Sequence, residues 1–166
     1  GVNIGAELGG TQGLITYMRT DSLRVSAEAQ TAAAELIRGR YGERYCPDAP
    51  RVYKARAGAQ DAHEAIRPAR VEIEPAMVRK SLTPDQYRLY KLIWERFVAS
   101  QMESAELETL TVDLECSGWV FRASGYTVTF PGYMAVYEEA ADDGQRNRRA
   151  DDPEEQRDLR IPPLRE

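Results

Sequence analysis

The chain has 166 residues, 42% of them hydrophobic and 30% charged, with a net charge of −5. That is apolar material for one domain of ordinary size or two small ones, each with a real core, and it reads as a soluble globular chain. The acidic balance excludes a chain coated in positive charge, so any contact with nucleic acid has to come from a local patch.

Gly1 to Gly13 is rich in glycine and polar residues and reads as an irregular lead-in without visible chemistry. Ile15 to Met18 then favours an extended strand, in which side chains two apart point to the same face, so Tyr17 and Arg19 are expected to project together. A phenol with its pKa of about 10 is a poor nucleophile at neutral pH, but a neighbouring guanidinium favours the phenolate and can also hold a phosphate. The pair is therefore a candidate for attack on a phosphodiester. The bland alternative is a half-buried strand aromatic with a solvated arginine beside it.

Beyond Asp21-Ser22, Ser26 can cap a helix, Glu28 suits its first turn, and Ala27 to Arg40 is dominated by helix formers, with Gly42 as the stop. Leu36 and Ile37 are expected to face the core, and Arg38 and Arg40 to complement the helix dipole. Tyr41 to Gly58 is a loop punctuated by Pro47 and Pro50. It carries Arg51, Lys54 and Arg56 interleaved with Tyr45 and Tyr53, a mixture suited to tracking phosphates and stacking on single-stranded bases. A solvated loop anchored to the core by its tyrosines fits the same residues.

Gln60 to Arg67 is expected to form a short helical turn that puts His63 and Arg67 on one face, ended by Pro68. His63 is the only histidine in the chain. Its imidazole can bind a phosphate when protonated or donate a hydrogen bond when neutral, although a lone histidine is more often structural. Asp61 and Glu64 read as groups that orient these cations, since two carboxylates on so short a turn do not make a magnesium site. Thr83-Pro84-Asp85-Gln86 is a helix start with a capping box, and the helix should run to about Met102. Tyr87, Tyr90, Trp94, Phe97 and Val98 recur at steps of three and four, the stripe of a core-facing helix.

The periodicity then changes. Leu110, Val112, Leu114 and Cys116 alternate with Thr109, Thr111, Asp113 and Glu115, Ser117-Gly118 turns the chain, and Val120 to Ala123 and Tyr126 to Phe130 read as two further strands of an antiparallel meander, separated by Ser124-Gly125. A domain boundary is placed near Ser104, giving a helical domain at 1–103 and a β-rich one at 104–166. Within the latter, a charged stretch with almost no apolar side chains, at about 138–158, reads as a flexible insertion. Cys46 and Cys116 have neither CxxC spacing nor a second pair, which argues against a zinc site or a disulfide scaffold and points to a reducing cytoplasm. No signal peptide or long apolar span is present, and a start at Gly1 without methionine reads as a piece of a longer protein. Of the 22 basic residues only Lys54, Lys80 and Lys91 are lysine, but the abundant alanine makes genomic composition a sufficient explanation.

Three ordered blocks carry a family resemblance. G-L-I-T-Y-M-R-T-D-S, from Gly13 to Ser22, resembles the active-site segment of type IA DNA topoisomerases, with Tyr17 similar to the tyrosine that becomes covalently joined to DNA. Gln60-Asp61-Ala62-His63-Glu64-Ala65-Ile66-Arg67-Pro68 resembles a second motif of that family, and Leu89 to Met102 resembles the helix that follows. The match runs from about Gly13 to Tyr137, and Met18 after the tyrosine is more like the bacterial topoisomerase I branch.

The resemblance implies an α+β fragment, a mainly helical tyrosine-bearing domain followed by part of an antiparallel β-rich arch. It also implies an isomerase that works on single-stranded DNA through a 5′-phosphotyrosyl intermediate and strand passage, relaxing negative supercoils without ATP. Arg19 would stabilise the developing phosphoryl charge, and His63 would contact the DNA backbone. Arg67, Arg51, Lys54 and Arg56 are the other candidate DNA contacts. Magnesium is expected in a separate toprim domain and not in this stretch, which alone is expected to be inactive. The partners implied are DNA and the remaining domains of the same polypeptide, in a monomer that is cytoplasmic and nucleoid-associated. Two other classes stay open. One is a non-catalytic module for single-stranded DNA in which Tyr17 stacks on a base. The other is a tyrosine recombinase, disfavoured because its nucleophile normally follows the histidine and arginines in the chain.

Overall fold

The computed structural model describes residues 1–18, 20–53 and 63–137. The architecture is α+β and divides into two compact units, Gly1–Glu103 and Ser104–Glu166. Among the described residues no helix is long and apolar enough to cross a membrane. The stretch expected as a flexible insertion, at about 138–158, lies outside the described residues.

The first unit opens on a small hairpin, β1 (Val2–Asn3) and β2 (Thr11–Gln12), in place of the irregular lead-in expected. The glycines make it possible: Gly5, Gly9 and Gly10 all adopt positive φ, which lets the chain reverse over a few residues and brings Ile4 N–H to Gly10 O at 3.0 Å. Helix α1 follows at Ala27–Tyr41. Ser26 caps it by accepting from Ala29 N–H, and Gly42 ends it with φ of 103°, where a side chain would be strained. Ala29, Ala33 and Ile37 are its buried face. Arg38 and Arg40 near its end bond to carboxylates, Glu43 at 3.0 Å and Glu74 respectively. The Arg40 guanidinium also lies over the rings of Tyr41 and Trp94.

A short helix α2 (Pro75–Val78) leads to α3 (Pro84–Gln101), the central element of the unit. Its capping box forms as the residue types require, with Gln86 N–H donating to Thr83 Oγ1 and Thr83 N–H to Gln86 Oε1. Tyr90, Trp94, Phe97 and Val98 are buried along the expected stripe. The two polar tips on it are satisfied by one preceding segment: Tyr90 O–H donates to Ile73 O at 2.6 Å and Trp94 Nε1–H to Val71 O at 2.8 Å. Burial, with the charge of Glu72 adding, pushes the Tyr90 phenol up to about 12. The stripe is therefore packing.

The second unit is a long hairpin of β3 (Glu106–Cys116) and β4 (Trp119–Phe130), followed by a 3-10 turn at Gly132–Ala135. Ser117 and Gly118 both take positive φ, 52° and 80°, the geometry a two-residue hairpin turn needs. The expected break at Ser124-Gly125 is absent: Ser124 pairs with Thr111 and Gly125 with Leu110 in one continuous ladder. Two strands thus replace the meander of three. The register puts Leu110, Val112, Leu114, Trp119 and Phe121 on one face, and the Asp113–Arg122 pair, with nitrogen–oxygen distances of 2.7 and 2.8 Å, on the other. Trp119, Phe121 and Leu114 on the apolar face are exposed in this chain.

Candidate active site

Two segments that are some fifty residues apart in sequence lie side by side. Ile15 forms an antiparallel bridge with Pro68. Around it Ala69 N–H donates to Leu14 O at 2.9 Å and Thr16 N–H to Arg67 O at 3.0 Å. Further along, Ala65 N–H donates to Arg24 O at 2.8 Å. Gln60 to Ala62, where the expected turn would begin, lie outside the described residues, and residues 63–69 hold no helical turn, only bends and the bridge at Pro68. The reason is that the backbone groups of Ala65, Arg67 and Ala69 are taken by residues 14–24, and Pro68 disfavours helical geometry at Arg67. The tyrosine segment is also shorter as a strand than expected: the bridge is confined to Ile15, and the chain has left the ladder at Tyr17.

Side-chain hydroxyls reinforce this seam on both sides of Tyr17. Thr16 Oγ1 donates to Ala65 O at 2.9 Å and accepts from Arg67 N–H at 3.0 Å. Ser22, which is buried, donates to His63 O at 2.6 Å and accepts from Arg24 N–H at 3.2 Å. Tyr17 itself is 80% exposed in this chain.

The two candidate DNA contacts in the second motif, His63 and Arg67, have different surroundings. Arg67 bonds through Nε and Nη2 to Glu64 Oε2, at 3.0 and 2.6 Å, and through Nη1 to Pro68 O at 2.9 Å, and it is largely shielded from solvent. Burial alone would push the Glu64 carboxyl up, but the bond to Arg67 and its charge, with smaller help from Ser26 and Arg24, holds it below the usual carboxylate range. Glu64 thus ties the second motif to the capping residue of α1. His63 differs. Among the described residues its Nδ1 is buried without a hydrogen-bond partner.

Arg51 has been drawn into the fold: its Nη2 lies 3.0 Å from Glu103 Oε1 and its carbonyl accepts from Gln30 Nε2–H at 2.9 Å. Tyr53 O–H donates to Ser100 O at 2.6 Å, and Tyr45 packs against Tyr41 with ring centroids 6.0 Å apart. Through these tyrosines the described part of the loop is tied to α1 and α3, and Tyr53 stays 46% exposed. Arg19, Lys54 and Arg56 lie outside the described residues. No group of three or more His, Cys, Asp or Glu side chains that could hold a metal comes together among the described residues, and the Glu64 carboxylate is bonded to Arg67. Sequence reasoning missed the hydroxyls of Thr16 and Ser22; their only signal was that they bracket the tyrosine.

Comparison with known proteins bears on the same residues. A family model described as DNA topoisomerase matches residues 7–162. The structure of full-length topoisomerase I from Thermotoga maritima is similar, with a TM-score of 0.67 and 37% sequence identity, over 80% of this chain and 21% of that one. The chain thus spans about a fifth of the length of that relative.

Proposed function

The chain belongs to the bacterial type IA DNA topoisomerase family, and on that premise we propose that it carries the nucleophile of a single-strand cleavage and resealing reaction, Tyr17. The observation that supports this reading most is the seam between the two motif segments, which presents an exposed phenol from a backbone held against the His63–Arg67 segment.

In the proposed reaction the phenolic oxygen of Tyr17 attacks a phosphorus of single-stranded DNA. The oxygen–phosphorus bond forms as the bond from phosphorus to the 3′-oxygen breaks; the phenol loses its proton, and the 3′-oxygen takes one up. The 5′-phosphate is left on the tyrosine. One phosphodiester has been exchanged for another, so the 3′-hydroxyl can reverse the attack and reseal the strand without ATP. Charge develops on the phosphoryl oxygens during both steps, and Arg19 is assigned to stabilise it. His63 is assigned to the DNA backbone beside the scissile phosphate from its place in the second motif. Arg67 acts through Glu64, holding the segment that carries His63.

In the full-length protein, Tyr17→Phe removes a single oxygen atom. Relaxation of a negatively supercoiled plasmid in the presence of magnesium and no ATP should be lost in this variant, with binding of single-stranded DNA retained. Relaxation by the phenylalanine variant at the parental rate would overturn the assignment. Dependence of the parental protein on ATP would point to another class of DNA enzyme.

A further inference from the structure

Within this chain Tyr17 is 80% exposed, so what this chain contributes to placing the phenol comes through the backbone. That backbone is pinned where Thr16 precedes the tyrosine and again where Ser22 follows it. At the first point a single hydroxyl meets Ala65 O and Arg67 N–H of the second motif, with Arg67 O a longer alternative acceptor at 3.4 Å, while the Thr16 N–H bonds to Arg67 O at 3.0 Å. At the second point the Ser22 hydroxyl meets His63 O and, on its own side, Arg24 N–H. Both hydroxyls reach backbone atoms, so they hold the course of the facing chain whatever side chains it carries. Threonine and serine are also the side chains small enough to donate and accept at one atom within such a seam.

We infer that the hydroxyls of Thr16 and Ser22 are positioning groups for strand cleavage, acting through Tyr17 to set where its phenolic oxygen meets the phosphate. This rests on the reading of Tyr17 as the nucleophile. The consequence is kinetic. A valine at position 16 keeps the volume and the backbone bond to Arg67 O but removes the donor to Ala65 and the acceptor for Arg67 N–H. The segment stays in place more loosely, and in-line attack tolerates little displacement of the attacking atom.

The test is single-turnover formation of the covalent adduct by the full-length protein on a single-stranded oligonucleotide, with affinity for the same oligonucleotide measured separately. Thr16→Val should lower the rate constant for adduct formation roughly ten- to a hundred-fold with affinity unchanged within about twofold, and Thr16→Ser, which restores the hydroxyl, should recover most of the rate. Ser22→Ala should move the rate in the same direction, and it decides the matter by itself if Thr16→Val does not fold. A merely structural role predicts instead that rate and affinity fall together and that serine at position 16 is as slow as valine. That pattern, or cleavage at the parental rate by Thr16→Val or by a folded Ser22→Ala, overturns the inference. Adduct formation by Tyr17→Phe in the same experiment would overturn the nucleophile itself, so the two failures are distinguishable.

Discussion

Arg67 and His63 are four residues apart and share a motif, yet physical chemistry assigns them different work. A guanidinium that already bonds a carboxylate through two nitrogens and a carbonyl through a third has few donors left for a phosphate. Removing it leaves Glu64 shielded and uncompensated, so Arg67→Ala should destabilise the chain by about 2 kcal/mol, measured by chemical unfolding. A change below about 0.5 kcal/mol would contradict the pairing. The pH dependence follows from the sign of the Glu64 shift. Its folded value is depressed, so its contribution is complete above the ordinary unfolded value of about 4.3 and is lost as the pH falls through the lower folded value. The gap in melting temperature between the parental chain and Glu64→Gln should therefore narrow in that acid window; a gap independent of pH would contradict it. His63 is the reverse case. Its carbonyl, not its ring, serves the Ser22 bond, and its Nδ1 has no described partner to lose. His63→Ala should leave the melting temperature nearly unchanged and weaken single-stranded DNA binding with a shallower salt dependence. Earlier melting with normal binding would return the histidine to a structural role.

At the scale of elements, α3 is where local sequence and tertiary structure agree most fully. Its capping box and its aromatic stripe were both legible, because each depends on residues within a few positions of one another. Truncating Trp94, which is buried and also donates to Val71 O, should cost about 3–5 kcal/mol, whereas Thr83→Ala should cost about 1 kcal/mol through loss of the cap. Equal costs for the two would contradict the assignment of α3 to the core. The segment at residues 63–69 was not legible in the same way. Its four-residue spacing suits a helical turn, but its backbone bonds run to residues 14–24, and nothing local announces a partner so distant in sequence. The β-hairpin gives a sharper example, because Ser-Gly occurs twice. At Ser117-Gly118 the pair turns the chain with positive φ at both residues, while at Ser124-Gly125 the same dipeptide lies within β4 opposite Thr111 and Leu110. Dipeptide chemistry permits a turn at either place. The register of the long ladder selects one of them.

For the whole molecule, the candidate site divides by kind of evidence. Tyr17 and the second motif were singled out by resemblance, whereas the exposure of the tyrosine and the seam that joins the two segments required three-dimensional structure. The chain spans about a fifth of the Thermotoga maritima topoisomerase I it resembles. The 166-residue chain by itself should therefore fail to relax supercoiled DNA under conditions in which the full-length protein succeeds. Relaxation by the isolated chain would contradict the division of labour between this part and the remaining domains. The most direct measurement for the whole account is to trap the cleavage complex of the full-length protein on a 5′- and 3′-labelled single-stranded oligonucleotide, digest it, and locate the attached nucleotide by mass spectrometry. The prediction is a phosphotyrosyl linkage at Tyr17, carried on the 5′-phosphate side of the break and absent from Tyr17→Phe. A nucleotide attached to any other residue, or an adduct that persists in the phenylalanine variant, would contradict it.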